Sequence, residues 1–348
     1  MKKNDSMALQ GIAVLMMLMH HFFLDISNYP ESFFLFPEFF QHFTWTGRMC
    51  VAIFSFVSGY GMYQVLKRKS SFSSMIKDCS KRIFQLYARL FLVIIICVYV
   101  PKLILGEPIF ISLLPGNVIG YNAVYNGAWW FVLEYLWFMI LALLLALIVN
   151  SDMKKWIRIS LIILLLMLGA LGKGIIFTNP GVVNFFEVRM QPTFLFIFTE
   201  GFIAGKMQDF VPGIKAFDKI QKLVSRMRCP IVGAIFCFTA LILRYLYSTE
   251  PYRVNADILL VPMLCCGVSL CSGKTTNIKK LFLFMGNNSL YLWLIHNLVY
   301  DRMVSFLFKW SGYWFVFFIV LFAVSLGMAI LLEKIEKIFK MWILPSGT

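Results

Sequence analysis

Ionisable side chains occur inside several long apolar stretches of this chain. His20 and His21 close the first stretch, Glu134 lies in another, and Arg244 and His296 lie in two more. An ionisable group in an apolar environment is costly, so each of these residues is a candidate for a functional site. Histidine and carboxylate side chains are the common general acids, general bases and nucleophiles of enzymes. The pattern therefore indicates acid–base or group-transfer chemistry in apolar surroundings.

Each candidate also has a purely structural interpretation. His20 and His21 point about 100° apart on a helix, so we expect only one of them to face a helix bundle. Either can instead be an interfacial histidine, Glu134 can be a structural partner of a basic residue, and His296 can be a packing residue. Arg244 is favoured as an ion-pair partner rather than a reactant.

The composition assigns these residues to a membrane protein. Hydrophobic residues make up 60% of the chain and charged residues 14%. Soluble domains contain nearer 45–50% apolar and about 25% charged residues. Because a soluble core cannot hide this much apolar surface, most of the chain must lie in lipid.

The apolar stretches are long enough to cross a bilayer, which takes about 20 residues per helix. They predict an all-α, polytopic membrane helix bundle with about ten transmembrane helices. The predicted spans are 7–24, 48–66, 83–105, 128–149, 157–177, 191–209, 229–247, 256–272, 281–301 and 312–332. No repeat or soluble region divides the chain, so we expect a single domain over 1–348.

The positive charges predict the orientation. Roughly three quarters of the 32 Lys and Arg fall on one side if both termini are cytoplasmic, as the positive-inside rule requires. The basic segment 210–228 is then a cytoplasmic loop that lies on the membrane surface. The net charge of +15 is explained by loops that face anionic lipid, so we expect lipid rather than nucleic acid as the partner.

Two further features complete the topology. The segment 25–47 is too aromatic for a solvated linker, so we expect it to pack back at the outer interface or to cover a cavity. The first apolar stretch has no cleavage pattern and is interpreted as a retained helix.

The eight Cys show no metal-type spacing, so neither disulfides nor a metal are assigned.

The candidate residues agree in depth under this topology. His21 lies about 20 Å along its helix from the inner end and His296 about 22 Å along its own. Glu134 lies about 9 Å below the outer boundary, and Arg244 is at a similar depth. We therefore expect these groups to converge in the outer third of the bilayer.

The first stretch resembles the opening helix of the acyltransferase-3 family of membrane acyltransferases. The segment SMALQGIAVLMMLMHHFF (6–23) matches the family pattern of a basic residue, Gly-Ile-Ala, an apolar run and a His. Ten residues separate Gln10 from His21, which selects His21 over His20. Four more similar segments follow in family order: GRMCVAIFSFVSGYGMY (47–63), KRIFQLYARL (81–90), AWWFVLEYLWFM (128–139) and MGNNSLYLWLIHNLV (285–299).

The resemblance implies a membrane O-acyltransferase in the plasma membrane of a bacterial cell. It would move an acyl group, acetyl in our expectation, from cytoplasmic acyl-CoA to a hydroxyl of a surface or exported glycan or glycolipid. Acyl-CoA would be a co-substrate, and no bound cofactor is expected. His21 would act as general base or carry the acyl group transiently, and Glu134 would orient and stabilise its ring.

Donor and substrate binding are assigned to a separate set of residues. Arg82 and Arg89 are candidates for the phosphates of the donor, because guanidinium groups bind phosphate in a bidentate manner. Arg48 is expected to help on the outer side. Gln10 and His296 complete the set, and Gln10 and His21 share one helix face about 16 Å apart, as the two ends of one channel would.

Two departures from the family pattern leave other functions open. Gln10 replaces the usual Arg or Lys, and Gln85 and Ala88 stand where Arg and Pro are frequent. An inactive relative that serves as an assembly or sensing partner is therefore one alternative. A proton-coupled transporter or flippase is another, since intramembrane Glu and His also carry protons, although no internal symmetry is visible in the sequence.

Overall fold

The computed structural model describes residues 1–69, 71–150, 154, 157, 159–164, 191–210, 230–248, 255–271, 277–308 and 312–343. This part of the chain is helical and contains no strand. Its helices are α1 (Lys3–Phe22), α2 (Pro37–Thr46), α3 (Met49–Leu66), α4 (Phe72–Val93), α5 (Val100–Ile104), α6 (Leu114–Ile119), α7 (Phe131–Asn150), α8 (Pro192–Phe210), α9 (Pro230–Tyr247), α10 (Asp257–Leu270), α11 (Asn277–Asn287), α12 (Ser289–Phe308) and α13 (Trp314–Ile343).

The prediction of an all-α membrane bundle is confirmed. Within the described residues, five helical segments are long and apolar enough to cross a membrane: Pro37–Leu66, Phe72–Ile104, Gly127–Asn150, Pro230–Tyr247 and Trp314–Phe339. A π-helical turn, Ile94–Tyr99, joins α4 to α5 within the second of these. The total of about ten spans and the cytoplasmic position of both termini stay predictions.

Most predicted spans coincide with helices, and one contains a break. The predicted span 281–301 falls on α11 and α12, which are separated at Asn288. The Asn288 side chain donates to the Phe284 carbonyl at 2.9 Å, and the backbone carbonyl of Asn288 accepts from the backbone N–H of Leu292 at 3.0 Å. Asn and Ser favour helix ends over helix interiors, so Asn-Asn-Ser marked this boundary in the sequence. The predicted span 157–177 and the basic loop 210–228 lie largely outside the described residues.

Helix α1 lies at the centre of the bundle. It packs along α11 and α3, and it also contacts α12, α2, α10 and α13. Small residues on several of its faces, among them Ala8, Gly11 and Ala13, are fully enclosed. Because membrane helices gain little from apolar burial against one another, close packing of this kind stabilises their association.

Two pairs of glycines bring neighbouring backbones into contact. A Cβ built on Gly59 of α3 would overlap the carbonyl oxygen of Phe198 in α8, and Gly201 of α8 is in the same relation to α3. Gly11 of α1 and Gly286 of α11 form a second reciprocal pair. These two contacts set the positions of α8 and α11 relative to the helices that carry the candidate site.

Gly59→Ala is therefore expected to destabilise the protein by about 1–3 kcal/mol, because the new methyl group collides with backbone that cannot move aside. Gly61 is the matched control: it lies on the same helix with nothing within 4 Å of a built Cβ. Gly61→Ala should leave stability unchanged or slightly higher, since Ala favours helix over Gly. Thermal unfolding in detergent measures both, and equal midpoints for the two variants would contradict the close-contact argument.

The aromatic segment 25–47 packs back on the bundle, as the sequence predicts. Phe34 and Phe40 are buried against Phe23 at the end of α1 and against Trp314 at the start of α13. The Trp45 indole donates to the Leu24 carbonyl at 3.1 Å. The opposite side of the segment exposes large apolar residues, as a lipid-facing surface does: Leu35, Phe36, Phe39 and Phe43.

Candidate active site

A cavity of about 660 Å³ lies between α1, α3, α4, the start of α7 and the start of α12. It extends along α1 from Gln10 to His21, a distance of about 16 Å. The predicted residues that line it are Gln10, His21, Arg48, Arg82 and Arg89. Predicted residues from three separate parts of the chain therefore share one cavity, which has guanidinium groups and an imidazole in its wall.

His21 lies against a second histidine. The ring centroids of His21 and His296 are 4.8 Å apart, and the rings are tilted by 58°. The Nδ1 atom of His296 is 2.8 Å from the Trp293 carbonyl and 3.2 Å from the Leu292 carbonyl, so this nitrogen carries the proton and donates it. His296 does not line the cavity; it lies behind His21, fully buried.

His20 also lines the cavity, contrary to the expectation that only one of the two histidines faces the bundle. Its Nδ1 lies 3.1 Å from the carbonyl of Thr44 in α2. The last turn of α1 is enclosed on both sides, by α2 and by α12, and adjacent residues therefore both point inward. The prediction did not consider α2, because the segment 25–47 was treated as a loop.

Glu134 is fully buried one layer behind the cavity wall. Its Oε2 accepts a hydrogen bond from the backbone N–H of Gln191 at 3.0 Å, and its Oε1 has no hydrogen-bond partner among the described residues. Gln191 itself lines the cavity just before α8. No hydrogen bond joins Glu134 to His21 in the described part of the chain, so its predicted role in orienting that ring stays a prediction.

The guanidinium groups lie near the α1 residues that precede the histidines. Arg82 is half-buried and interacts with the hydroxyl of Tyr135 in α7. Arg89 lies two turns further along the same face of α4, with its Nε 2.9 Å from Oε2 of Glu336 in α13. Tyr291 donates to the same oxygen at 2.8 Å. Arg89 is thus held in place by the carboxylate of Glu336, while Arg82 lies at the cavity wall beside Tyr135 and within electrostatic range of Asp78.

Arg244 forms a buried ion pair, the role that the sequence favours for it. Its Nε is 2.7 Å from Oδ1 of Asp257, and neither side chain is exposed to solvent. Its Nη1 donates to Ser248 at 2.7 Å. Arg244 does not line the cavity, so of the four groups expected to converge, His21 and His296 are in contact and Arg244 belongs to a neighbouring polar cluster.

The sequence matches the acyltransferase domain family, acyltransferase-3, over residues 6–334. The chain belongs to the acyltransferase-3 family. No curated protein and no solved structure is significantly similar to it. The family match runs from the start of α1 into α13 and so includes every helix that contributes to the cavity.

Membership in this family identifies the protein as a membrane acyltransferase. Several wall residues of this acyltransferase were not found from the sequence: Ser58, Trp130, Tyr135, Gln191 and Trp293. They are ordinary polar and aromatic residues of apolar helices, and only the fold distinguishes them from residues that face lipid. Asp257 was also missed, although an acidic residue at the start of an apolar stretch is a natural partner for Arg244. Among the described residues, no group of three or more His, Cys, Asp or Glu is arranged to hold a metal ion.

Proposed function

We propose that this acyltransferase moves an acetyl group from acyl-CoA to a hydroxyl of a surface or exported glycan or glycolipid, within the plasma membrane of a bacterial cell. The observation that carries the proposal is the single cavity shared by His21 and the two arginines of α4. Acyl transfer between a phosphate-rich donor and an alcohol needs a cationic site and a base within reach of one another. The cavity supplies both.

The donor would bind at the end that contains Arg82 and Arg89. Arg89 has one edge occupied by Glu336, which orients its guanidinium. Arg82 lines the cavity beside the hydroxyl of Tyr135 and within electrostatic range of Asp78, and its guanidinium could bind the phosphates of acyl-CoA from there. These two residues supply positive charge to the same cavity as Gln10, the position at which the family usually carries a cation. The resemblance and the charge support this assignment.

The acceptor would bind at the histidine end. Trp130 and Trp293 line the cavity there, and flat aromatic faces pack well against the apolar face of a sugar ring. Arg48, in the turn before α3, also lines this region and lies within electrostatic range of His20 and His21. A glycan or glycolipid hydroxyl placed here meets both a base and a cation.

The reaction would proceed by proton transfer to His21. One ring nitrogen takes the proton of the acceptor hydroxyl as the oxygen forms its bond to the acyl carbon. The carbon–sulfur bond of the thioester then breaks, and the CoA thiolate leaves with the proton that His21 received. In the alternative route the imidazole carries the acyl group between the two substrates, and the overall balance is the same.

The test is transfer of label from [acetyl-¹⁴C]acetyl-CoA by purified protein in lipid nanodiscs, supplied with a lipid-linked glycan extract. We expect label in the glycan fraction and release of free CoA. Arg82→Ala is expected to raise the KM for acetyl-CoA by about 10- to 100-fold, the loss that follows removal of a hydrogen-bonded charge. Lys81→Ala is the matched control, since Lys81 is exposed beside Arg82 and does not line the cavity.

The outcomes distinguish the alternative functions. Binding of labelled acetyl-CoA without transfer or hydrolysis would point to an inactive relative that acts as a partner. A pH-dependent transport signal without consumption of acetyl-CoA would favour a transporter. Equal KM values for Arg82→Ala and Lys81→Ala would remove the donor site from α4.

A further inference from the structure

We propose that His296 is a positioning residue for His21: its Nε2 accepts a hydrogen bond from the ring N–H of His21 and thereby holds that ring with its other nitrogen toward the acceptor. This inference rests on the proposed acyl transfer and adds to it a residue in a role that the sequence did not assign. The sequence placed His296 among the substrate-binding residues, yet its side chain lies outside the cavity wall.

The hydrogen bonds made by Nδ1 of His296 leave its Nε2 as the acceptor nitrogen of the ring. Its Nδ1 donates to the backbone carbonyls of Leu292 and Trp293 in its own helix, so its Nε2 is the acceptor nitrogen of a neutral ring. That Nε2 is completely buried and has no hydrogen-bond partner among the described residues. A buried acceptor without a partner is unfavourable, and such an atom in a native protein calls for an explanation.

The nearest ionisable ring is that of His21. A centroid separation of 4.8 Å is close to that of two imidazoles joined through an N–H···N hydrogen bond. The hydrogen bond is not formed in this structure, and catalytic hydrogen bonds are often long before substrate is bound and tighten in the complex. The rings are tilted by 58°, so the hydrogen bond requires a rotation of the His21 ring, which is the more exposed of the two.

The surroundings of His296 keep it in place for this role. The carbonyl of Leu294 in the same helix accepts from the Trp129 indole at 3.0 Å and from the Asn126 side chain at 2.9 Å. The Trp293 indole donates in return to the Ala128 carbonyl at 3.2 Å. These bonds attach the α12 segment next to His296 to the turn before α7, so His296 has little freedom to move away from His21.

A neutral acceptor suits a base that works in lipid. When His21 takes the proton of the acceptor hydroxyl it becomes an imidazolium, and its second N–H then donates to His296 Nε2. The proton later leaves with the CoA thiolate, and His296 keeps its own proton on Nδ1 throughout. A carboxylate in the same position would add a buried charge to the resting protein, which a second imidazole does not. Glu134, the carboxylate buried behind the cavity wall, accepts instead from Gln191.

The first test compares two replacements of similar size, His296→Gln and His296→Met, per amount of monodisperse protein. Gln can place an amide oxygen near the position of Nε2, and Met cannot supply a comparable acceptor. We expect His296→Met to lower kcat for acetyl transfer by about 10- to 100-fold with the KM for acetyl-CoA unchanged, and His296→Gln to recover much of the rate. A purely structural role would instead lower the yield of folded protein and give no selective recovery by Gln.

The second test reads the ring nitrogens of the wild-type protein directly, and variants serve only for assignment and for removal of the donor. The chain has only 4 His, so selective ¹⁵N-histidine labelling gives few ring signals. His42, which does not line the cavity, provides a control assignment through His42→Gln. We expect His296 to carry its proton on Nδ1, with an Nε2 shift that moves when His21→Ala removes the donor.

The outcomes separate this inference from the proposed function. If the wild-type protein transfers acetyl and His296→Met is equally fast, the positioning role is overturned and the acyl transfer stays intact. Protonation of His296 on Nε2 in an active wild-type protein would have the same meaning. Absence of transfer by the wild-type protein would overturn both. A kcat loss confined to His296→Met, with an Nδ1–H ring in the wild type, supports the inference.

Discussion

His21→Ala is expected to lower acyl transfer by about 10²- to 10⁴-fold, the contribution that a positioned general base makes. The KM for acetyl-CoA should change little, because Arg82 and Arg89 belong to another part of the cavity wall. The measurement is the initial rate of label transfer in nanodiscs, normalised to monodisperse protein. A route through an acyl-imidazole predicts at least as large a loss, since no covalent carrier then remains.

His42→Ala is the matched control for this experiment. His42 lies in α2, contacts Trp45 and Tyr245, and does not line the cavity, so its replacement should leave the rate unchanged. His20→Ala is the informative intermediate case, because His20 lines the cavity but has its Nδ1 at the Thr44 carbonyl. An undiminished rate in His21→Ala, or a larger loss in His20→Ala, would contradict the selection of His21.

The sequence was sufficient to predict α1, and the family resemblance selects His21 within it, a selection that stays a prediction. An uninterrupted apolar stretch, a spacing of ten residues between Gln10 and His21, and the costliness of an imidazole in lipid together predict a helix with a functional end. Both residues line the same cavity, as residues eleven apart on a helix must if one face is enclosed. Properties of a single helix of this kind follow from periodicity alone.

Contacts between distant helices could not be predicted in the same way. His21 and His296 are far apart in the chain, and their depths suggested proximity without indicating which helices are neighbours. The contact depends on the Gly11–Gly286 pair, which holds α11 against α1, and on the break at Asn288, which sets the start of α12. The hydrogen bond of Glu134 is with a backbone N–H that sequence patterns do not reveal.

The candidate site contains residues of both kinds: those that follow from the periodicity of one helix, and those that depend on contacts between distant helices. The arginines of α4 and the histidines of α1 are each recognisable within one helix, and the fold brings them to one cavity. The residues that support them, among them Glu336 behind Arg89 and His296 behind His21, come from the C-terminal helices. The last third of the chain therefore acts mainly by holding residues of the first third.

The buried ion pair of Arg244 and Asp257 is expected to give the largest effect on stability. Replacing one partner leaves the other charge buried and uncompensated, which costs about 3–5 kcal/mol. We therefore expect Arg244→Met and Asp257→Leu each to lower strongly the thermal midpoint of the detergent-solubilised protein. The double replacement should recover most of that loss, because an apolar pair of similar volume avoids the desolvation of both charges.

Arg302→Met provides the control for this expectation, since it breaks an ion pair with Glu107 in which both side chains are well exposed. Exposed pairs are screened by solvent and salt, so its midpoint should stay close to that of the wild type. Midpoints that fall in parallel for the single variants and fall further in the double variant would show that the two charges act independently. Recovery in the double variant would show that α9 and α10 are joined here by compensation of charge, so that the ion pair of Arg244 and Asp257 is a structural element of the bundle.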